Sequence, residues 1–445
     1  MSKLSSLLDQ ELVRQQTSLE LIASENYVSP AVMSAYSNVF TNKYSEWYPG
    51  ARYYGGNEVV DDLENYTKDL WLQIFWLDPE VRWVNVQALS GSVANLAVYT
   101  WVLDAGDTIL AMDLSAWWHL THGMKLNASG KYFNIISYGV KIDWLIDYEQ
   151  LRSLALEHQP AMIIAGFSSY PRSLDWSVFE KIKAQLKQQG HNTLLLADIA
   201  HIAWLVAGRV IDGPFDHGFD IITTTTHKTL RWPRGALIYY NHAERSTSKK
   251  LKNWKIKITT LEHLINRGVF PGVQWGPFDH VLVAKATAFE EILDPDTRRG
   301  EYCSQVIRNA QALASWLVAR GWSVATWGTD NHIVILDVTA KDVSSPPLTK
   351  GGAEGWGITG KIAEHLLESI GLSVNKQLIP NDARPPLDPS WVRLGTPAIT
   401  TRWLVESDVE VLVDIIDMIL TQWVSAIDTQ KARVFKLCQK YPLPY

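Results

Sequence analysis

The stretch Asp220-Ile-Ile-Thr-Thr-Thr-Thr-His-Lys-Thr-Leu-Arg-Trp-Pro-Arg-Gly235 decides how the rest of the chain reads. Ile221 and Ile222 begin an apolar run that four threonines continue, and β-branched side chains favour a strand. His227 and Lys228 fall where that strand ends. Pro233 and Gly235 then turn the chain into a second apolar run, Ala236–Tyr240. A lysine at the exit of a buried strand is placed to lose its proton by desolvation and attack a carbonyl. A surface lysine after an edge strand is the alternative, and this stretch alone leaves the two readings equal.

Upstream, Thr193-Leu-Leu-Leu-Ala-Asp198 is another apolar run, closed by an acid and followed by Ile199-Ala200-His201. Taken singly, Asp198 reads equally as a helix N-cap and His201 as a core histidine. As a pair, an acid and a lysine closing two buried strands match the needs of pyridoxal phosphate. That cofactor takes a lysine on its aldehyde and a carboxylate that keeps its ring nitrogen protonated, so that the ring draws in electrons.

The 445 residues are enough for two domains. Basic residues number 41 and acidic residues 47, with no block of like charge suited to nucleic acid or a membrane surface. Cys303 and Cys438 give neither a disulfide framework nor metal-ligand spacing, which points to a reducing compartment and no metal. The opening residues lack a signal-peptide core, and no apolar run approaches ~20 residues, so a soluble, cytoplasmic protein is expected.

Residues 1–24 read as an amphipathic helix leading into an arm, and the residues to about Asn57 as an ordered loop. From about residue 84, helices at 92–103, 151–158 and 175–189 alternate with strands at 108–112, 132–137, 161–165, 193–198, 220–225 and 236–240. Such alternation predicts an α/β domain with a largely parallel sheet and ligands at the carboxyl ends of its strands. After the Pro/Gly-rich residues 270–277 come helices at 280–293 and 302–320, then a strand at 332–338. A helix at 360–370, a short strand at 392–397 and helices after 407 complete the chain, with 341–357 as a flexible loop. The expected organisation is an N-terminal helix and arm (1–30), a large domain (31–280) and a small C-terminal α+β domain (281–445).

The sequence resembles the serine hydroxymethyltransferase family from about Leu19 to the C-terminus. The resemblance rests on LELIASEN (19–26), TNKYSE (41–46), ARYYGGNE (51–58), HLTHG (119–123), DIAHIA (198–203), TTTTHKTL (223–230), FPGVQ (270–274), TDNH (329–332) and RLGTPAITTR (393–402). It implies the aspartate-aminotransferase-like fold type I of pyridoxal-phosphate enzymes. It also implies interconversion of serine and glycine, with the one-carbon unit passing to tetrahydrofolate, in a homodimer or tetramer with a shared active site.

On this reading Lys228 bonds to the cofactor aldehyde, with His227 beside it, and Asp198 faces the ring nitrogen. The resemblance places His119 over the ring and His201 near its oxygen, with Ser168, Thr225 and Gly276 among the cofactor contacts. Ser90-Gly91-Ser92, opening a helix, supplies N–H groups for the phosphate; the same triplet also reads as a plain turn and N-cap. Arg393 is assigned to the substrate carboxylate, because a guanidinium matches a carboxylate bidentately. A surface arginine is the other reading, and the intact Arg-x-Gly-Thr-Pro-Ala pattern favours function. Glu46 is the proton-transfer candidate, with a solvated loop glutamate as the alternative. Tyr44 and Tyr54 accompany it, and in relatives these three come from the neighbouring subunit. Ser24 falls near the substrate, and Leu114, Leu120 and Asn381 match folate-associated positions.

The chain departs from the family in its aromatic residues, with 20 Trp against 17 Tyr and 11 Phe. Trp47, Trp76, Trp117, Trp118, Trp144, Trp204, Trp232, Trp275, Trp327, Trp391 and Trp403 stand where the family has glycine, whereas Trp176 fits a genuine aromatic position. Glycine serves where φ is positive or where backbone approaches a ligand. Overpacking one buried site costs about 1–3 kcal/mol, against a total stability of about 5–15 kcal/mol, so the fold is not expected to bear all these changes. The expectation is that UGA codons for glycine, one base from GGA, have been read as tryptophan. A degenerate, non-catalytic scaffold is the competing reading, opposed by the intact Lys228, Asp198, His119, His201, Arg393 and Glu46. A threonine-aldolase-like lyase is a third, opposed by the LELIASEN, FPGVQ and RLGTPA runs.

Overall fold

The computed structural model describes residues 2–113, 117, 119–241, 244–247, 257–297, 299–341 and 358–445. Leu114, Trp118 and all but the first residue of the expected loop at 341–357 lie outside these residues. Seven strands form the central sheet: β1 (Arg82–Asn85), β2 (Thr108–Met112), β3 (Asn134–Tyr138), β4 (Met162–Gly166), β5 (Leu194–Asp198), β6 (Ile221–Thr225) and β7 (Ala236–Asn241). Their order is β1-β7-β6-β5-β4-β2-β3. Every residue of β4 and β6 is buried. Strands covered on both faces read as continuous apolar or β-branched runs rather than alternations, which is why the sequence showed them plainly.

The sheet is mixed rather than wholly parallel. β7 runs antiparallel to both neighbours, while the pairs from β6 across to β3 are parallel. The reason lies in the Lys228–Gly235 turn, which is too short for the crossover a parallel return demands. β1 and the long helix before it, Glu58–Ile74, lie between the N-terminal arm and loop and the first element of the expected α/β alternation, where the sequence suggested none. That helix is polar on one side and buries Val60, Leu70, Trp71 and Ile74 on the other, against the helix Asp279–Leu293.

A second sheet follows: β8 (Ser323–Val324), β9 (Ile333–Asp337), β10 (Asn375–Gln377) and β11 (Trp391–Gly395), in the order β8-β9-β11-β10 and antiparallel throughout. Its apolar core includes Leu313, Leu366, Leu412 and Val434 from the helices packed on it. The helix Asp279–Leu293 and the start of the next, Arg299–Ala319, pack instead in the larger core through Leu282, Phe289, Cys303 and Val306.

At the N-terminus the helix is shorter than expected, Lys3–Thr17, because Ser18 turns to extended backbone. Leu19–Glu20 then pairs in parallel with Leu372–Ser373, and the Leu21 carbonyl accepts the Gly395 N–H at 2.7 Å. Leu19 and Leu21 are fully buried in the second core, so the arm is stitched to the smaller sheet. None of the helix Lys3–Thr17 is buried, and Leu4, Leu7, Leu8, Leu12 and Val13 are all exposed.

The eleven tryptophans do not all crowd the interior. Trp76, Trp275, Trp327 and Trp403 point into solvent, where volume costs nothing. Trp232 packs edge-on with Trp71 and Phe289 and tilted with Trp204, which itself meets Tyr302 edge-on.

Candidate active site

Parallel pairing sets Asp198 opposite Thr223, so the acid and the lysine leave the carboxyl ends of adjacent strands. Lys228 is half-buried. Desolvation lowers its pKa to about 8, against the pull of Asp198 and with Arg393 adding to the fall. An amine at that value is partly neutral near pH 7 and therefore nucleophilic.

Asp198 is held from several sides. Its Oδ2 accepts from His122 Nε2 at 3.0 Å and from Asn95 Nδ2 at 2.9 Å, and its Oδ1 accepts the Ala200 N–H at 3.1 Å. Burial pushes the carboxyl up, but the His122 hydrogen bond and the charges at His122, His119 and Lys228 outweigh it. The group is held well below the usual carboxylate range. Asn95 also donates to Thr121 Oγ1 at 3.0 Å and accepts from Thr223 Oγ1 at 2.8 Å, while His119 Nδ1 lies 2.7 Å from Thr121 Oγ1. His122, Asn95, Thr121 and Thr223 were not among the expected site residues. The signal for His122 was its three-residue spacing from His119 across a tight turn.

His119 caps that turn, and burial brings its pKa to about 4, so it is neutral at physiological pH. His201 is buried and stacks on His332, with centroids 5.7 Å apart and planes 14° apart; burial drives its pKa well below the usual value. His201 Nδ1 has no hydrogen-bond partner among the described residues. His332, from the TDNH run, is a further site neighbour that sequence reasoning left without a role. His227 is half-buried, and desolvation, with Lys228 and Arg234 nearby, takes its pKa to about 4.

At the helix Gly91–Val102, Ser90 Oγ accepts the Val93 N–H at 3.3 Å. The Gly91 and Ser92 N–H groups at this end have no partner among the described residues and suit an anion. A Cβ on Gly91 would stand 2.7 Å from Thr225 Cγ2, so only glycine lets the helix start close on the end of β6. Thr225 itself is buried.

Arg393, on β11, is buried. Its Nε donates to Asn375 Oδ1 at 3.0 Å, and its Nη1 to the Ser168 carbonyl at 2.9 Å and Ser169 Oγ at 3.3 Å. No carboxylate among the described residues pairs with it, and burial lowers its pKa to about 10. A buried cation left without a counter-ion is costly, so this guanidinium fits an anionic ligand. Two residues on, a Cβ at Gly395 would stand 2.4 Å from Ala23 Cα. That close approach brings the arm, with half-buried Ser24, against the strand that carries Arg393.

Glu46, Tyr44, Tyr54 and Gly276 form a separate group. Gly276 lies against Ser45 and Glu46, the Tyr44 and Tyr54 rings meet edge-on at 5.5 Å, and Ser45 Oγ donates to Asp279 Oδ1 at 2.7 Å. Among the described residues of one chain, no hydrogen bond, ion pair or ring contact joins this group to Lys228, Asp198 or Arg393. Leu120 and Asn381 are exposed and lie in neither group's bonding. Among the described residues, no cluster of three or more His, Cys, Asp or Glu could hold a metal.

The chemistry of the Lys228 group fits pyridoxal phosphate. A depressed lysine, a carboxylate with an open lone pair, unused N–H groups beside a Cβ-free cradle and an unpartnered buried imidazole nitrogen lie together. Comparison with known proteins agrees. The family model for serine hydroxymethyltransferase matches residues 2–416. Proteins named serine hydroxymethyltransferase from Xanthomonas campestris pv. campestris, strains B100 and 8004, are each 44% identical over 443 residues, covering 99% of this chain and 96% of theirs. The chain therefore belongs to the serine hydroxymethyltransferase family, pyridoxal-phosphate enzymes of fold type I.

Proposed function

We infer that the chain interconverts serine and glycine, with tetrahydrofolate as the one-carbon acceptor, using pyridoxal phosphate. The observation that carries the substrate end is Arg393, a buried guanidinium with no carboxylate partner among the described residues, close enough to Lys228 to lower its pKa. When bound, the cofactor supplies the electron sink that lets a bond at the serine α-carbon break. Lys228 would hold its aldehyde carbon, Asp198 its ring nitrogen, and the Gly91 and Ser92 N–H groups its phosphate. Neutral His119 would cover the ring and His201 would meet its oxygen. Arg393, aided by Ser24, grips the amino-acid carboxylate and fixes the α-carbon. Glu46 moves the proton at the hydroxymethyl oxygen, with Tyr44 and Tyr54 beside it. Leu114, Leu120 and Asn381 serve the folate.

The working unit is a homodimer in this reading, with tetramers built from it. Two features support it: the Glu46 group is detached from Lys228 within one chain, and the helix Lys3–Thr17 leaves an apolar stripe uncovered. Among the described residues no helix is long and apolar enough to cross a membrane. A cytoplasmic setting is proposed, with Cys303 and Cys438 joined in no disulfide as support. We also keep the division 1–30, 31–280 and 281–445, supported by the second sheet lying wholly after residue 280.

The test is turnover of labelled serine by purified protein loaded with pyridoxal phosphate, with and without tetrahydrofolate. Glycine formation that rises with folate is expected. Cleavage of threonine with no response to folate would reject the reading.

A further inference from the structure

Seven tryptophans hold a backbone shape that their size opposes. Trp47, Trp76, Trp117, Trp144, Trp327, Trp403 and Trp423 have φ of 72°, 58°, 79°, 62°, 56°, 68° and 58°. In the left-handed region Cβ presses on the carbonyl oxygen that follows, so bulky residues there are outliers and glycine is the ordinary occupant. The other large aromatics provide an internal control. The chain has 17 Tyr and 11 Phe, and none of them has a positive φ. The steric rule is the same for all three rings, so ring chemistry does not explain why only tryptophan is affected.

Five of the seven positions are also of the kind that glycine fills. Trp76 follows the C-cap Phe75 of a long helix, Trp403 the C-cap Arg402 of a short one, and Trp423 is itself the C-cap of the helix Glu406–Gln422. Helix ends commonly close on a left-handed residue, usually glycine. Trp423, with ψ of −138°, lies in a region that only glycine enters freely. Trp144 sits in the tight turn between the bridged residues Val140 and Ile146, and Trp327 immediately precedes Gly328, itself at φ 148°.

Indole hydrogen bonding divides in a related way. Trp176 and Trp322, at ordinary φ, donate Nε1 to the Asp212 carbonyl at 3.3 Å and to Asp417 Oδ1 at 2.8 Å. Buried Trp117 and Trp423 have no Nε1 partner among the described residues. Trp71 and Trp204 share that lack at ordinary φ, and the backbone criterion does not assign them.

We propose that the cell's ribosomes place glycine at these seven positions, from UGA codons, and that tryptophan stands there only through decoding by a different code. UGA differs from the glycine codon GGA in its first base alone, so a glycine tRNA with the complementary anticodon suffices. The backbone criterion adds position 423 to those marked by family resemblance. It holds whether or not the chain has the activity proposed above. One position bears on the site. The backbone carbonyl of residue 117 accepts the N–H groups of Ser168 and Ser169 at 2.8 and 3.2 Å, and these two serines hold Arg393. Glycine at 117 leaves that carbonyl free to adopt its angle without strain.

The deciding experiment is peptide mass spectrometry of the protein from its native cells, read beside the gene's codons. Glycine and UGA are expected at all seven positions, with tryptophan and UGG at 176 and 322. Tryptophan at any of the seven, or UGG there, overturns the proposal. A second measurement compares the chain as written with one carrying the seven Trp→Gly changes, including Trp117→Gly and Trp423→Gly, both made under the standard code. The glycine chain should fold with the higher thermal midpoint. An equal or higher midpoint for the tryptophan chain overturns the steric premise.

Discussion

Around Lys228 and around Glu46 the molecule uses opposite means to place its polar groups. Near Lys228 they stand at the ends of buried strands and on a capped helix, and each is tied to the next: Asp198 to His122 and Asn95, Asn95 to Thr121 and Thr223. Near Glu46 they stand on loops, with Tyr44 55% and Tyr54 44% exposed, and the Ser45–Asp279 bond anchors the group to a helix. The first group is organised by one chain alone. The second shows its tyrosines outward and lacks anything to act on. In the proposed dimer, a site divided this way would keep its strongest electrostatics in the sheet and leave completion to assembly.

The largest expected effect tests that division directly. Lys228→Ala should lose roughly 10⁴-fold in turnover and the visible absorbance of covalently held cofactor. Glu46→Gln should be nearly inactive while keeping that absorbance. Mixing and refolding the two variants should restore about a quarter of wild-type activity, because each mixed dimer regains one intact site. Absence of recovery, despite mixed dimers by native mass spectrometry, would mean that each chain completes its own site.

Arg393→Ala comes next, with kcat/KM for serine expected to fall roughly 30- to 5,000-fold, equivalent to about 2–5 kcal/mol of lost pairing. Arg393→Lys should recover only part, since the ammonium lacks the planar fork. Equal activity for all three proteins would remove Arg393 from substrate binding.

The half-buried histidines His119 and His227 predict a pH effect of intermediate size. His119 and His227 have folded pKa values of about 4, below the unfolded value of about 6.5. A depressed pKa gives stability that is present above the unfolded value and is lost as pH falls through the folded one. The thermal midpoint should therefore drop between about pH 6.5 and 4, with roughly 1–3 kcal/mol carried by each group. His119→Asn should flatten the curve, and an unchanged slope would count against a half-buried neutral imidazole there.

The smallest change is expected at Asp279→Asn, which weakens the Ser45 anchor. Its cost should be about 1 kcal/mol in stability, with turnover reduced by less than ~10-fold and the cofactor spectrum unchanged. A large spectral change would show that the Glu46 group is not independent of the Lys228 group.

Much of the Lys228 side was legible from residues because apolar runs of four or five end at chemistry: Leu194–Asp198 and Ile221–Thr225 fall within one residue of their expected bounds. The antiparallel return of β7 was legible too in principle, from the shortness of the Lys228–Gly235 turn. Asn95 was not, because its partner Asp198 lies 103 residues away and no local pattern reports such a contact; His122 offered only its spacing from His119, since its partner lies 76 residues away. Glu58–Ile74 was hidden by its Glu, Asp, Asn and Lys residues, which cover one face and mask an apolar face revealed only by packing. The left-handed angle at Trp423 has no local signature either, since a helix C-cap is written in glycine and here glycine is not shown.

Arg393 has a consequence for the protein's lifetime as well as its chemistry. A cation buried without an anion destabilises the empty fold relative to the occupied one, so in the proposed reading the substrate would act as a missing structural part. Anything that binds only the folded state raises its stability in proportion to the logarithm of its concentration. Abundant serine or glycine should thus slow proteolysis of the chain, and a cell starved of them should clear it faster.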